Sequence, residues 1–429
     1  MNKVLMISYY WPPAGGPGVQ RPLKFARYLP HFGWQPIVLT VKDGVYPATD
    51  RSLAEEVPAE LPVYRSRNPE PDALYRRFAG RGSGETAVGV LAQKNLSWKQ
   101  RLAHSIRMNW FIPDAKKFWL PFALSTAEKI IREHRPAVVW STSPPPTSHL
   151  IAMKLAQKHG LKWVADFRDP WSRIHYYGEQ RSRRARQKDR ALEREVLQRC
   201  DRAVCVSQKF AGLLEKPEDK NIHILPNGFD GPDFENKTSP DKDYFDLAYV
   251  GGLNENRYYP HFFRALAGWI NAEDERKRKV RLTLAGKVAP HIHADIENIF
   301  GGWSGLRFAG YVAHREALRI MSGAAVLLLF TEQTTQYEGH LPGKLFEYLA
   351  AQRPIMALSP FAGEAAEILD ETESGRLFSK SDDALDWLRN LYGRWQNGDN
   401  LTPPAKAIDR YERKTLTGEL ARIFNELVV

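Results

Sequence analysis

One feature restricts this chain more than any other. Short apolar runs alternate with helical patterns, and each join is marked by glycine, proline or polar residues. Residues 3–8, 35–40, 137–142, 162–165, 203–207 and 222–225 read as buried strands. Helical patterns lie between them, among them residues 147–159, stopped by Gly160. A polar, turn-rich stretch at 231–243 reads as a linker. The alternation then resumes, with strands expected at 246–250, 280–285, 306–312, 324–330, 354–358 and 375–378. Strand–helix–strand units of this kind build parallel sheets covered on both faces. The expected fold class is therefore α/β, two βα domains over 1–230 and 244–404, with ligands bound in the cleft between them. Residues 410–429 add an amphipathic tail with Leu416, Leu420, Ile423, Phe424 and Leu427 on one side.

Composition narrows the classes. A chain of 429 residues with 43% hydrophobic residues can bury two cores. No apolar run reaches the length of a membrane span. Met1 to Tyr10 runs straight into a strand without a cleavage site, and Cys200 and Cys205 are too few for a disulfide framework or a metal site. These features predict a cytoplasmic protein. The net charge of +11 predicts an anionic partner, whether nucleic acid, anionic membrane surface or phosphate-bearing substrate. The absence of a lysine-rich tail and of zinc-finger spacing speaks against nucleic acid.

Three loops carry the chemistry. The run from Tyr337 to Ala350 joins two buried strands, and Pro342 suits a first helical turn. Lys344 and Glu347, three apart, share a face near that helix N-terminus, where free N–H groups and the dipole favour anions. A cation and a carboxylate there suit a ligand with phosphates and hydroxyls, such as a nucleotide sugar; a solvated ion pair has the same spacing. Gly15 and Gly16 follow the first strand without the G-x-G-x-x-G spacing, so no dinucleotide is inferred, and a plain tight turn fits equally. Asp166, Arg168 and Asp169 follow a strand at the edge where parallel sheets hold ligands, although an ion pair locking the loop explains them too. Residues 44–125 are rich in Arg, Pro and aromatics, with a Gly/Ser patch at 80–84, and are expected to form loops and short helices. Residues 98–110 and 180–202 are basic helical stretches suited either to solvent or to a membrane surface.

Taken in order, Gly15-Gly16, Trp163 to Trp171, Val206-Ser207, Ile224 to Asp230, Tyr249 to Gly252 and Pro342 to Ala350 resemble retaining glycosyltransferases of family 4. That resemblance implies the GT-B fold, two Rossmann-like domains facing a central cleft. The acceptor side is 1–230, with helix 405–429 packing back on it, and the donor side is 244–404. It implies a nucleotide-diphosphate sugar as co-substrate and no metal. Glu347 would accept from the ribose, Tyr311 and Val312 would flank the base, and Gly15, Gly16, Gly251 and Gly252 would surround the diphosphate. Arg257 and Lys344 would meet the leaving-group charge, while Glu338, Asp166 and Arg168 would line the sugar and acceptor.

This chain departs from the family pattern in three places. Glu338 and Glu347 are not eight apart, because Gly339 takes the first glutamate's place. Gly252 stands at an arginine position, and Arg257 lies one residue before a lysine position, which leaves Lys344 to supply charge. The reaction implied is sugar transfer with retention to a hydroxyl of a glycan or lipid-linked acceptor, in bacterial surface polysaccharide or lipopolysaccharide synthesis. The enzyme would be cytoplasmic, or peripheral on the inner face of the plasma membrane. The rivals are a nucleotide-sugar epimerase of the same fold and a non-catalytic basic membrane or scaffold protein.

Overall fold

In a computed structural model of the protein, residues 1–46, 49–69, 105–173, 180–333 and 341–428 are described. They form two compact units, Met1–Pro226 with Arg413–Val429, and Asn227–Glu412. Among the described residues no helix is long and apolar enough to cross a membrane.

The first unit holds a seven-stranded sheet in the order β3-β2-β1-β4-β5-β6-β7. Its strands are β1 Asn2–Ile7, β2 Trp34–Val41, β3 Val63–Ser66, β4 Val138–Ser143, β5 Lys162–Phe167, β6 Arg202–Cys205 and β7 Ile222–Ile224. Every pairing is parallel. Both faces are covered, which is why the strands read as unbroken apolar runs rather than alternating ones. Along β4, Val138 and Trp140 enter one core with Leu23, Leu29 and Phe424. Val139 enters the opposite core with Trp119, Ile151 and Val196. The helix Arg413–Asn425 belongs to the first core: the Phe424 ring lies 5.1 Å from Trp34, whose Nε1 donates to Asn425 Oδ1 at 2.9 Å.

The second unit holds a six-stranded parallel sheet in the order β10-β9-β8-β11-β12-β13. Its strands are β8 Phe245–Val250, β9 Val280–Ala285, β10 Leu306–Gly310, β11 Val326–Phe330, β12 Ile355–Leu358 and β13 Gly375–Phe378. One face packs on the helices Pro260–Asn271, Pro290–Phe300 and Ser381–Gln396, the other on His314–Gly323, Gly343–Ala351 and Glu364–Glu371.

Two expectations change. The predicted linker, 231–243, is part of the second unit, and the chain passes between units after Pro226. Phe234 is the reason: it is buried, with its ring 6.3 Å from Phe229. The stretch 44–125, expected to hold loops and short helices, also contributes the edge strand β3 and the start of the helix Leu120–His134. The patch at 80–84 and residues 98–104 lie outside the described residues.

Candidate functional site

In each sheet the strand order reverses at one point, between β1 and β4 and between β8 and β11. Loops at the carboxyl ends of strands flank a crevice at such a point. In the second unit these are the Gly251 turn after β8 and the Thr331–Gln333 segment after β11.

The turn is built from glycines packed backbone to backbone. Gly251 has φ 140° and Gly286, after β9, has φ 132°. Gly251 N donates to Ala285 O at 2.7 Å, and Gly286 N donates to Gly310 O at 2.6 Å. A Cβ on Gly286 would sit 2.2 Å from Gly251 O, and one on Gly251 would sit 1.7 Å from Lys344 Nζ. Only glycine leaves that space at that φ.

Lys344 enters it from the first turn of the helix Gly343–Ala351. Tyr348 of that helix stitches it to the sheet, accepting from Val250 N at 2.9 Å and donating to Leu328 O at 3.2 Å. The Lys344 ammonium stands 4.5 Å over the Tyr249 ring and 3.4 Å from its hydroxyl. Among the described residues no carboxylate lies within ion-pair distance of it. Burial, then the nearby Arg257 charge, lowers its pKa to about 7; Glu347 and Glu332 pull the other way. Burial pushes the Tyr249 phenol up to about 12, so it stays protonated and donates to Gly252 O at 2.7 Å.

Arg257 is tied through Nε to Glu332 Oε1 at 2.8 Å. Glu332 is buried, and its Oε2 has no hydrogen-bond partner. The sequence reading missed Glu332, although its place two residues past β11 was a usable signal. Tyr311 stands 81% exposed just after Gly310, which has φ 63°, and Val312 is half-buried. Gly251, Gly252, Arg257, Tyr311, Val312, Lys344 and Glu347 thus all lie at the carboxyl edge of one sheet or on the helix beside it. Glu338 lies outside the described residues.

The first unit corrects two expected roles. Asp166, at the end of β5, is fully buried. Arg21 grips it with Nη2 at 2.7 Å and Nε at 3.1 Å, and Thr142 Oγ1 donates at 2.7 Å. Both carboxylate oxygens are occupied by the fold, so a substrate hydroxyl finds no open face there. Arg168 donates to three backbone carbonyls: Ser143 O at 3.1 Å, Pro144 O at 2.7 Å and Gly18 O. Its partner is backbone, not Asp166. A Cβ on Gly18 would fall 2.8 Å from Arg168 Nη1. Arg168 therefore holds the glycine loop in which Gly16, with φ 92°, precedes the helix Pro17–Tyr28. Asp169 is half-buried at the same edge, and burial raises its pKa against the pull of Arg168.

Residues 23–231 match the sequence model of Glycosyltransferase Family 4. Over these residues, just under half of its length, the chain is similar to that family. Its fold is shared by solved glycosyltransferases across their whole length. Anabaena Alr3699/HepE in complex with UDP and glucose superposes with a TM-score of 0.63 at 15% identity, covering 99% of this chain and 100% of that one. Sucrose-phosphate synthase from Thermosynechococcus elongatus gives 0.63 at 12% identity, covering 100% and 99%. The lipopolysaccharide outer core galactosyltransferase WaaB, in its apo form, gives 0.58 at 12%, covering 99% and 100%. No curated protein matches in sequence.

Gly251→Ala tests the turn. The φ strain costs about 1–2 kcal/mol and the new methyl displaces the Lys344 ammonium. The variant is expected to melt several degrees lower and to lose most nucleoside-diphosphate affinity, read by thermal melts and calorimetry.

Proposed function

We propose that this glycosyltransferase moves a sugar from a nucleotide-diphosphate donor to a hydroxyl of a glycan or lipid-linked acceptor, with retention at the anomeric carbon. The observation that carries the donor assignment is the Lys344 ammonium, desolvated beside the Gly251 turn and without a carboxylate partner among the described residues. A half-buried cation in that state calls for an anion, and it rises from the first turn of the Gly343–Ala351 helix, an end that favours anions. The diphosphate takes hydrogen bonds from both. As the C–O bond to the sugar breaks, negative charge grows on the leaving phosphate, and fixed cations are worth most in a dry site. Side-chain charge does this work here without a metal. Glu347 accepts from the ribose hydroxyls, and the base lies at Tyr311 and Val312. No protein nucleophile is assigned, and the acceptor attacks on the face the phosphate leaves. Asp169, rather than Asp166, is the carboxylate at the first unit's sheet edge that is open to an acceptor.

HepE is solved with UDP and glucose, which makes UDP the first nucleotide to try. In EDTA buffer, calorimetry with UDP, GDP and ADP is expected to find one tight binder. Glu347→Ala is expected to weaken it about tenfold or more, the loss of hydrogen bonds to a charged group, and to abolish transfer without changing the melt. Unchanged affinity removes the ribose assignment. Donor turnover without acceptor, giving an epimerised sugar, favours the epimerase instead.

A further inference from the structure

Four of the large exposed hydrophobic side chains lie between residues 106 and 122: Ile106, Trp110, Phe118 and Phe122. Trp110 is 76% exposed. Ile106 and Trp110 lie one helical turn apart, as do Phe118 and Phe122, and Lys117 links the two pairs. Lys117 Nζ donates to Trp110 O at 2.6 Å and lies 5.0 Å over the Phe111 ring and 5.4 Å over Phe118. The Phe111 and Phe118 rings are 5.6 Å apart.

The basic helix Arg183–Arg199 begins beside this patch. Ser182 N donates to Asn109 Oδ1 at 2.7 Å, and the Arg181 guanidinium donates to Pro113 O. Its first turn carries Arg183, Arg184 and Arg186 and no acid. Cations at a helix N-terminus oppose the dipole, so these arginines do not serve the helix. Arg183, Arg184 and Lys188 are exposed and have no ion-pair partner among the described residues. Further along, Arg190 and Arg194 converge on Glu215. Unpaired charge is therefore concentrated at the end nearest the aromatics.

We infer that this surface, Ile106, Trp110, Phe118 and Phe122 beside Arg183, Arg184 and Lys188, docks on an anionic lipid bilayer. Apolar and aromatic side chains enter the headgroup boundary while the arginines meet lipid phosphates. A nucleic acid meets the charges but offers no apolar depth for Ile106 and Phe122. The inference is independent of the transfer reaction.

The test is flotation of the full chain with phosphatidylcholine vesicles with and without phosphatidylglycerol, at low and high salt. The parent is expected to float only with phosphatidylglycerol and to be released by salt. The charge-reversed R183E/R184E variant is expected to bind at least about tenfold more weakly, and W110S/F118S to be weakened too. Thermal melts and UDP titration confirm that both variants are folded. No dependence on phosphatidylglycerol, or equal flotation of the folded R183E/R184E variant, overturns the inference. So does a single-stranded oligonucleotide that binds the parent more tightly than the vesicles and loses that binding in R183E/R184E.

Discussion

Lys344→Met is expected to give a protein that melts at a higher temperature than its parent and binds nucleoside diphosphate about tenfold to a hundredfold more weakly. Both effects come from one burial. The folded pKa of Lys344 is about 7 against an ordinary 10.5, so between those values the unfolded chain holds the extra proton. Stability then rises with pH across that window, and at pH 7 and below the fold carries the full cost of a desolvated charge. Methionine keeps the stem and removes the charge. The gain is expected to be on the order of 1–3 kcal/mol near pH 7, shrinking as pH approaches 10.5.

Binding runs the other way, because a charged hydrogen bond to phosphate is worth about 1.5–3 kcal/mol. A diphosphate also favours the protonated lysine. Below pH 7 the amine is already charged and no proton is taken up. Above it, each diphosphate bound brings close to one proton, and affinity falls as pH rises. Calorimetry in buffers of different ionisation enthalpy reads that proton directly. A parent with no proton uptake at pH 8, or a Met variant that binds as well as the parent, removes Lys344 from the donor site.

How much of this was legible depended on where each signal resides. Strands buried on both faces announce themselves as apolar runs, and the thirteen residues Thr147–His159 needed no partner to read as a helix with a glycine stop. The edge strand Val63–Ser66 has only one buried residue, so its pattern is faint. The helix Leu120–His134 faces the core with Ala123, Ala127 and Ile130, two of them too small to mark an apolar stripe. In the donor site, Lys344 and Glu347 were visible because one helix turn brings them together. The partners of Asp166 were not: Arg21 is 145 residues away in sequence, and only the parallel order β1-β4-β5 brings it within reach. A carboxylate at a strand end looks the same in sequence whether it awaits a substrate or an arginine.

Asp166→Leu separates those two uses. Removing one member of a buried pair strands the other, and the loss is expected to be about 3–5 kcal/mol, read as a lower melt or poor yield. Arg21 keeps Leu225 O at 2.9 Å and Pro226 O at 2.8 Å, but its charge has no counterion. The double variant Arg21→Met with Asp166→Leu removes both charges and is expected to recover most of the stability, as buried pairs replaced by apolar side chains often do. Its transfer rate per folded molecule is then expected to stay within about tenfold of the parent, because the structure gives Asp166 no open face toward a substrate. If the double variant folds as well as the parent and yet transfers a thousandfold more slowly, Asp166 acts on substrate and its burial is relieved during turnover. If it folds and transfers, the carboxylate serves to hold Arg21, and through it the start of the first helix, against the segment Leu225–Pro226.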